Sequence, residues 1–342
     1  MDRLAKTGLA AAGIALASGL ALWPGPSGAA EPSRQSFDIL TGSAGGNYFP
    51  VGELIARAIS HPPGLARCER TGVCAPPGII VSARTSDGAV ANVLAVDAGS
   101  AASGLAQTPV VADAVSGRGP FRQAGRQTHI RVMADLFGET VQLVARPGIA
   151  SVADLRGKRI AVGNEGSGGD VIATAILSAS GVRAGVIRHQ GADASVAALR
   201  QGRIDAFFFL GGAPAPAIAG LVAGGEAKLV AIGGKLRTRL LTRVPGLSAE
   251  TIAAGLYRGT GPLDTVGART LWIANDGAPS ATVYGIVRAL FNPANRELLA
   301  QGERPAPDIR LGETANLDVV PLHPGAVRFY RESGMLAAPQ RR

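Results

Sequence analysis

The chain has 342 residues, of which 46% are hydrophobic and 17% charged. At about 100–200 residues per domain this length predicts two domains, and the apolar content excludes a mainly disordered chain. The net charge is +9, yet no five basic residues are consecutive and aromatic residues make up only 4%. Both features argue against a nucleic-acid-binding protein, so we interpret the charge as a generally basic surface.

The first 30 residues have the pattern of a targeting segment. A charged start at Arg3 and Lys6 precedes the apolar run Gly8–Trp23, and small residues follow. This pattern predicts a secretory signal peptide that is cleaved near Ala29 or Ala30, with an uncleaved membrane anchor as the alternative. The mature chain is therefore expected to be exported.

Strand-like and helix-like segments alternate along the mature chain. The predicted strands are Phe37–Leu40, Ile79–Ala83, Gly104–Ala106, Arg131–Phe137, Thr140–Ala145, Arg159–Val162, Val186–His189, Ile204–Leu210, Lys228–Ile232 and Thr270–Ala274. The predicted helices are Pro50–Ser60, Asp87–Val96, Pro109–Ser116, Val152–Leu155, Asp170–Ala179, Ala194–Arg200, Ala215–Val222, Ala281–Leu290 and a short amphipathic helix after His323.

Such alternation predicts an α/β fold with a parallel-rich sheet. The pattern occurs twice, so we expect two α/β lobes, residues 31–138 with 268–342 and residues 139–267. The chain would cross between them near residues 138–142 and 266–272, which makes a two-strand hinge with a ligand cleft beside it. No element is predicted between Gly233 and Asp264.

The two cysteines, Cys68 and Cys74, lie in one Pro-flanked loop. In an exported protein this spacing predicts a local disulfide. The alternative, a metal pair helped by His61, lacks a suitable ligand spacing.

Two Gly-rich loops each follow a predicted strand and precede a helix, which is where open α/β sheets bind ligands. The first, Thr41–Tyr48, offers backbone groups and polar side chains. The second, Gly163–Asp170, places Ser167 and Asp170 in the positions of a helix capping box. A plain turn and simple helix capping are the alternatives. The candidate ligand-binding residues of the two loops are Ser43, Gly46, Asn47, Tyr48, Ser167, Gly168 and Gly169.

Further candidates lie at other strand ends. Thr85, Ser86 and Gln107 are uncharged polar residues, with helix capping and turn formation as alternative roles. Gly211 and Gly212 follow a buried strand and are expected to turn the chain at the inner wall of the second lobe.

Catalytic and cofactor signatures are absent from the sequence. Neither Gly-rich loop has the Walker or dinucleotide-binding pattern, and no Gly-x-Ser-x-Gly elbow occurs. The four histidines are scattered, without the spacing of a zinc site. We therefore predict a protein that is not an enzyme and has no cofactor or metal.

Five segments, taken together and in order, resemble the TAXI-type solute-binding subunits of TRAP transporters. The segments are GNYFPVG, GIIVSARTSDGAVANV, LFGETVQLVARPGIASVADLRGKRIAVGNEGSGG, GRIDAFFFLGGAPAPAI and HPGAVRFYRESG. The resemblance implies a type II periplasmic-binding-protein fold that closes on a small solute, often an amino acid or dicarboxylic acid. It also implies delivery of that solute to a TRAP permease in the membrane.

The sequence departs from this family at two places. In the family an Asp often follows the Gln, whereas here Thr108 and Pro109 follow Gln107. The second loop of the family often contains Ser-Gly-Thr, whereas here Gly169 and Asp170 come after Ser167. Both places are expected to face the ligand and so to affect ligand choice. A sensor or adaptor for a membrane receptor, and a secreted enzyme on the same scaffold, remain as alternative functions.

Overall fold

The computed structural model describes residues 34–302, 305–311 and 319–336. The predicted signal peptide lies outside these residues. Within them, no helix has both the length and the apolar character that a membrane span requires.

Strands and helices alternate through most of the described chain. The strands are β1 Gln35–Leu40, β2 Ile79–Arg84, β3 Ser103–Gln107, β4 Ile130–Ala145, β5 Arg159–Gly163, β6 Val186–His189, β7 Ala206–Gly211, β8 Lys228–Val230, β9 Leu247–Ile252 and β10 Leu263–Asn275. The helices are α1 Tyr48–Ile59, α2 Ala89–Asp97, α3 Thr108–Ser116, α4 Gly168–Ser180, α5 Ala192–Arg200, α6 Pro216–Ala223, α7 Gly234–Arg243, α8 Ser280–Leu290, α9 Pro293–Ala300 and α10 Pro324–Glu332.

The strands pair in the order β2-β1-β3-β10-β4-β7-β5-β6, with β8 also on β4 and β9 also on β10. The β1 pairs with β2 and β3 and the β5 pairs with β6 and β7 are parallel. Every antiparallel pair involves β4 or β10. The sheet is therefore mixed rather than parallel-rich, because these two strands run against their neighbours.

β4 and β10 are the longest strands, and they pair with each other. Their outer halves contribute Met133 and Trp272 to an apolar cluster with α1 and α8, and Val132 to a cluster with α2 and α3; these two clusters form the first core. Their other halves contribute Val141 and Val266 to a cluster with α4, β5 and β7. Two apolar cores are thus joined by two continuous strands, which confirms the predicted α/β fold class. The exact lobe boundaries remain a prediction.

Several predicted elements differ from the structure. Two separate strands were expected at 131–137 and 140–145, but Gly138 and Glu139 continue one strand through both. α1 begins at Tyr48, two residues before the Pro50 expected to start it. The segment 233–264 contains α7 and β9, and α9 was not predicted. α7, β9 and α9 are polar elements that contain too few apolar residues to form a clear sequence pattern. In α7, for example, Leu240 is the buried residue.

The predicted disulfide between Cys68 and Cys74 is present, with a Cα–Cα distance of 5.2 Å. The loop that it closes packs on the first core through Arg67, which donates hydrogen bonds to the Ala58 carbonyl and to the Asn295 side chain.

Asn92, on α2, joins the ends of two strands to that helix. Its fully buried amide donates hydrogen bonds to the Thr41 and Leu105 carbonyls, both at 2.8 Å, and to the Leu40 carbonyl at 3.2 Å. This fixes the start of the first Gly-rich loop relative to β3.

We expect Asn92→Ala to lower the free energy of unfolding by about 2–3 kcal/mol, because buried carbonyls lose their donor. Chemical denaturation would measure the loss. Gln123→Ala, which removes an exposed amide, is the control and should change stability by less than about 0.5 kcal/mol. Equal stabilities of the two variants would contradict this role of Asn92.

Candidate functional site

A cavity of about 730 Å³ lies where the two Gly-rich loops meet, at the carboxyl ends of β1, β3 and β5. This is the edge at which open α/β sheets hold their ligands. The cavity is lined by Thr41, Gly42, Ser43, Gly45, Gly46, Asn47, Tyr48, Ser86, Asp87, Gly88, Ala89, Gln107, Glu139, Gly163, Asn164, Glu165, Ser167, Gly168, Gly169, Gln190, Gly191, Ala192, Asp193, Ala194, Phe208, Phe209 and Leu210.

Hydrogen bonds cross the cavity between residues on either side of it. The Asn164 amide donates to the Ser43 hydroxyl at 3.1 Å, and the Asn47 amide donates to the Leu210 carbonyl at 3.1 Å. The Val90 amide donates to the Gly166 carbonyl at 3.1 Å. The first bond joins the two Gly-rich loops directly, and the other two join the first loop to β7 and the second loop to α2.

The N-terminus of α4 faces this cavity. Ser167 caps it by accepting a hydrogen bond from the Asp170 backbone, as predicted. Asp170 does not complete a capping box, because its carboxylate accepts from the Gly166 amide instead. Gly168 and Gly169 occupy the first turn, where backbone N–H groups have no acceptor within the helix and can bind an anionic or carbonyl oxygen.

Gly168 also fits closely against Gln107. A Cβ at residue 168 would overlap with the Gln107 side-chain amide. Glycine at this position therefore allows the helix end and β3 to approach each other at the cavity wall.

Glu139, in the middle of β4, lies at the bottom of the cavity with an exposed fraction of 3%. Its Oε2 accepts hydrogen bonds from Thr270 Oγ1 at 2.8 Å, Gln107 Nε2 at 2.9 Å and the Tyr48 hydroxyl at 3.3 Å. These donors come from β10, β3 and α1, so one carboxylate connects three elements of the first core.

Burial sets the ionisation of this group. Loss of hydration raises the pKa of Glu139 above its ordinary value, although the hydrogen bonds from Thr270, Gln107, Tyr48 and Asn47 oppose the shift. Burial and the neighbouring carboxylate also raise the pKa of Tyr48 well above its ordinary value. Tyr48 therefore stays a neutral hydrogen-bond donor.

Nine of the twelve candidate residues line this one cavity. They are Ser43, Gly46, Asn47, Tyr48, Ser86, Gln107, Ser167, Gly168 and Gly169. That these residues bind a ligand stays a prediction.

Three candidates do not line the cavity. Thr85 is exposed at the end of β2. A side chain at Gly211 would collide with the Asn47 amide, so this glycine makes room for Asn47. The Gly212 carbonyl accepts a hydrogen bond from Gln142 at 3.2 Å.

Of the residues at the two departures from the TAXI pattern, Gly169 lines the cavity, whereas Thr108 and Asp170 do not. Thr108 is buried, donates a hydrogen bond to the Gly246 carbonyl at 2.6 Å and accepts one from the Arg269 amide at 3.1 Å. The Asp170 carboxylate accepts a hydrogen bond from the Gly166 amide, and its Oδ1 lies 3.4 Å from His189 Nδ1. Both residues hold backbone in place.

Sequence reasoning missed the contribution of Glu139 and Asn164. Glu139 lies between the two strands predicted at 131–137 and 140–145, so the sequence pattern assigns it to a connection. A charged residue at the centre of a long apolar segment was the available signal, because such a residue is rarely buried without a role.

Residues 39–334 match the profile of the NMT1-like family. The chain belongs to the NMT1-like family.

Solved structures share the fold of this NMT1-like chain. The periplasmic binding protein BugD aligns with a TM-score of 0.51 and 16% identity, over 89% of this chain and 95% of BugD. XAC2383 from Xanthomonas citri, solved with ATP bound, aligns with a TM-score of 0.50 and 13% identity, over 87% of this chain and 94% of that protein. At such identities the likeness concerns the fold, which is that of periplasmic binding proteins, as predicted. Membership of the TAXI type stays a prediction.

The raised pKa of Glu139 makes stability depend on pH. The folded protein holds this proton more tightly than the unfolded chain does. The stabilising contribution is therefore complete below the ordinary glutamate pKa and is lost as pH rises through the folded-state pKa. We expect Glu139→Gln to gain stability relative to the unchanged protein when thermal unfolding is measured at about pH 8 instead of about pH 4.

The control is Glu53→Gln, which replaces an exposed glutamate on α1. Its stability should follow that of the unchanged protein across the same range. Parallel profiles for Glu139→Gln and the unchanged protein would show that Glu139 does not titrate differently on folding.

Proposed function

We propose that this protein is a periplasmic receptor that captures a small solute in the cavity and delivers it to a TRAP-type permease. The observation that carries the proposal is the meeting of two Gly-rich loops, Thr41–Tyr48 and Gly163–Asp170, at one cavity. A volume of about 730 Å³ falls in the range of small-molecule sites.

The expected mechanism is closure about a hinge. The proposed lobes are residues 31–138 with 268–342 and residues 139–267, and the hinge is the middle of β4 and β10. Gly138 pairs with Arg269 and Thr140 with Gly267, so the two proposed crossings lie side by side. A solute that touches both loops stabilises the closed state, because it gains contacts that the open state lacks.

Recognition would use the first turn of α4 together with the side chains at the base of the cavity. The N–H groups of Gly168 and Gly169 suit a carboxylate oxygen of the solute. This agrees with the carboxylate-bearing solutes that the TAXI resemblance implies. Asn47 and Ser43 bind residues across the cavity, and their hydrogen bonds would form as the site closes.

The periplasmic location and the permease partner rest on the predicted signal peptide and on the TAXI resemblance. Export would also allow the disulfide of Cys68 and Cys74 to form and persist. We propose binding without turnover, so no residue is assigned a catalytic role.

The first test is native mass spectrometry of the purified mature chain, followed by identification of any released small molecule. One solute per chain, with saturable binding when it is added back, is the expected result. A chain that is empty and that binds no metabolite from a periplasmic extract would contradict the receptor function.

We expect Gln107→Ala to weaken solute binding at least tenfold and Ser167→Ala about threefold or more, measured by calorimetry. The first loses a buried polar contact and the second loosens the first turn of α4. Gln123→Ala, an exposed amide outside the cavity, should bind within twofold of the unchanged protein. Unchanged affinity in both site variants would show that the solute binds elsewhere.

A further inference from the structure

The charged residues that line the cavity are all acidic. Asp87, Glu139, Glu165 and Asp193 line it, and in the described part of the chain no Lys, Arg or His does. This composition is opposite in sign to the whole chain, which has a net charge of +9. A purely anionic solute would meet like charge on entry.

Glu139 is the buried member of this set. Its hydrogen bonds from Thr270, Gln107 and the Tyr48 hydroxyl all end on Oε2, and Asn47 is a further donor to the carboxyl group. Within the described residues, no ion pair joins Glu139 to a basic side chain. A buried carboxylate without a cation is costly, and the raised pKa of Glu139 reflects that cost. A positively charged group bound beside it would stabilise the ionised form.

Gln107 presents a second acceptor at the same place. Its Nε2 is fixed by the 2.9 Å hydrogen bond to Glu139, since only an N–H group can face the carboxylate. Its Oε1 therefore points away and has no partner among the described residues, although the side chain is only 5% exposed. Glu139 and Gln107 thus place two hydrogen-bond acceptors side by side, and a ligand that carries N–H donors would suit both.

We propose that the solute carries a protonated amine whose N–H groups bind Glu139 Oε1 and Gln107 Oε1, and that its net charge is zero or positive. This inference rests on the proposed receptor function and narrows its solute class. A carboxylate at Gly168 and Gly169 remains compatible with it, as in a zwitterion. A dicarboxylate without an amine is excluded, because it would supply no donor to either acceptor.

The first experiment compares three defined pools by thermal shift and native mass spectrometry on the mature chain. One pool holds the proteinogenic amino acids other than aspartate, glutamate, arginine and histidine, together with putrescine and cadaverine. The second holds the fully N-acetylated derivatives of the same compounds, and the third holds C3–C6 dicarboxylates. Acetylation removes the positive charge of the amine but keeps the rest of each molecule. We expect binding from the first pool alone.

Each other result is decisive. Binding from the acetylated or dicarboxylate pool would overturn the inference and leave the receptor function standing, with a protonated Glu139 as donor to the anion. Binding from no pool would overturn the inference and, if a periplasmic extract also gave no binding, the receptor function with it.

The second experiment measures the affinity of Glu139→Gln for the amine that binds best. Loss of the carboxylate should weaken the binding of that amine roughly 30-fold or more, because a buried charge pair loses one partner. Glu53→Gln, outside the cavity, should bind as the unchanged protein does. Thermal unfolding confirms that each variant is folded, and an affinity for Glu139→Gln within threefold of the unchanged protein would overturn the assignment.

Discussion

The structure depends on the pairing of β4 with β10. These two strands are long enough to enter both apolar cores, and they hydrogen-bond to each other where they pass from one to the other. Other strands serve one core only, so the antiparallel pairs of the sheet all include one of these two. The loops around the cavity are therefore positioned relative to these two strands.

Glu139 lies on this pair, opposite Ala268. It is hydrogen-bonded to Thr270 on the partner strand, and through Gln107 it reaches β3. A buried carboxylate placed at the crossing strands, within the lining of a cavity, belongs to the framework and to the proposed site at once. Its replacement would therefore affect both stability and recognition, which is why pH-dependent unfolding and solute affinity have to be measured on the same variant.

The sequence was sufficient to predict the α/β class, the disulfide, the two Gly-rich loops and the cap of Ser167. These features have local signatures, since a glycine turn or a helix cap depends on a few consecutive residues. The continuous β4 was not predicted, because Gly138 and Glu139 interrupt its apolar pattern. The contact of Asn164 with Ser43 and the closeness of Gly168 to Gln107 join residues far apart in the chain, and no local pattern contains them.

Thr108 and Asp170 show that a local pattern can also predict a place in the cavity lining that the fold does not provide. Their positions beside predicted binding loops indicated ligand contact, yet each is bonded to backbone of this chain. Whether a polar side chain at a strand end faces a ligand or a neighbouring loop depends on tertiary geometry.

The ionisation of Glu139 has a consequence for the loaded receptor. Burial favours the protonated form of this carboxyl, so an ammonium group that binds beside it favours release of that proton to solvent. Uptake of the proposed solute would then be coupled to proton release. The pH of the compartment would thereby influence how much of the proposed receptor carries its solute.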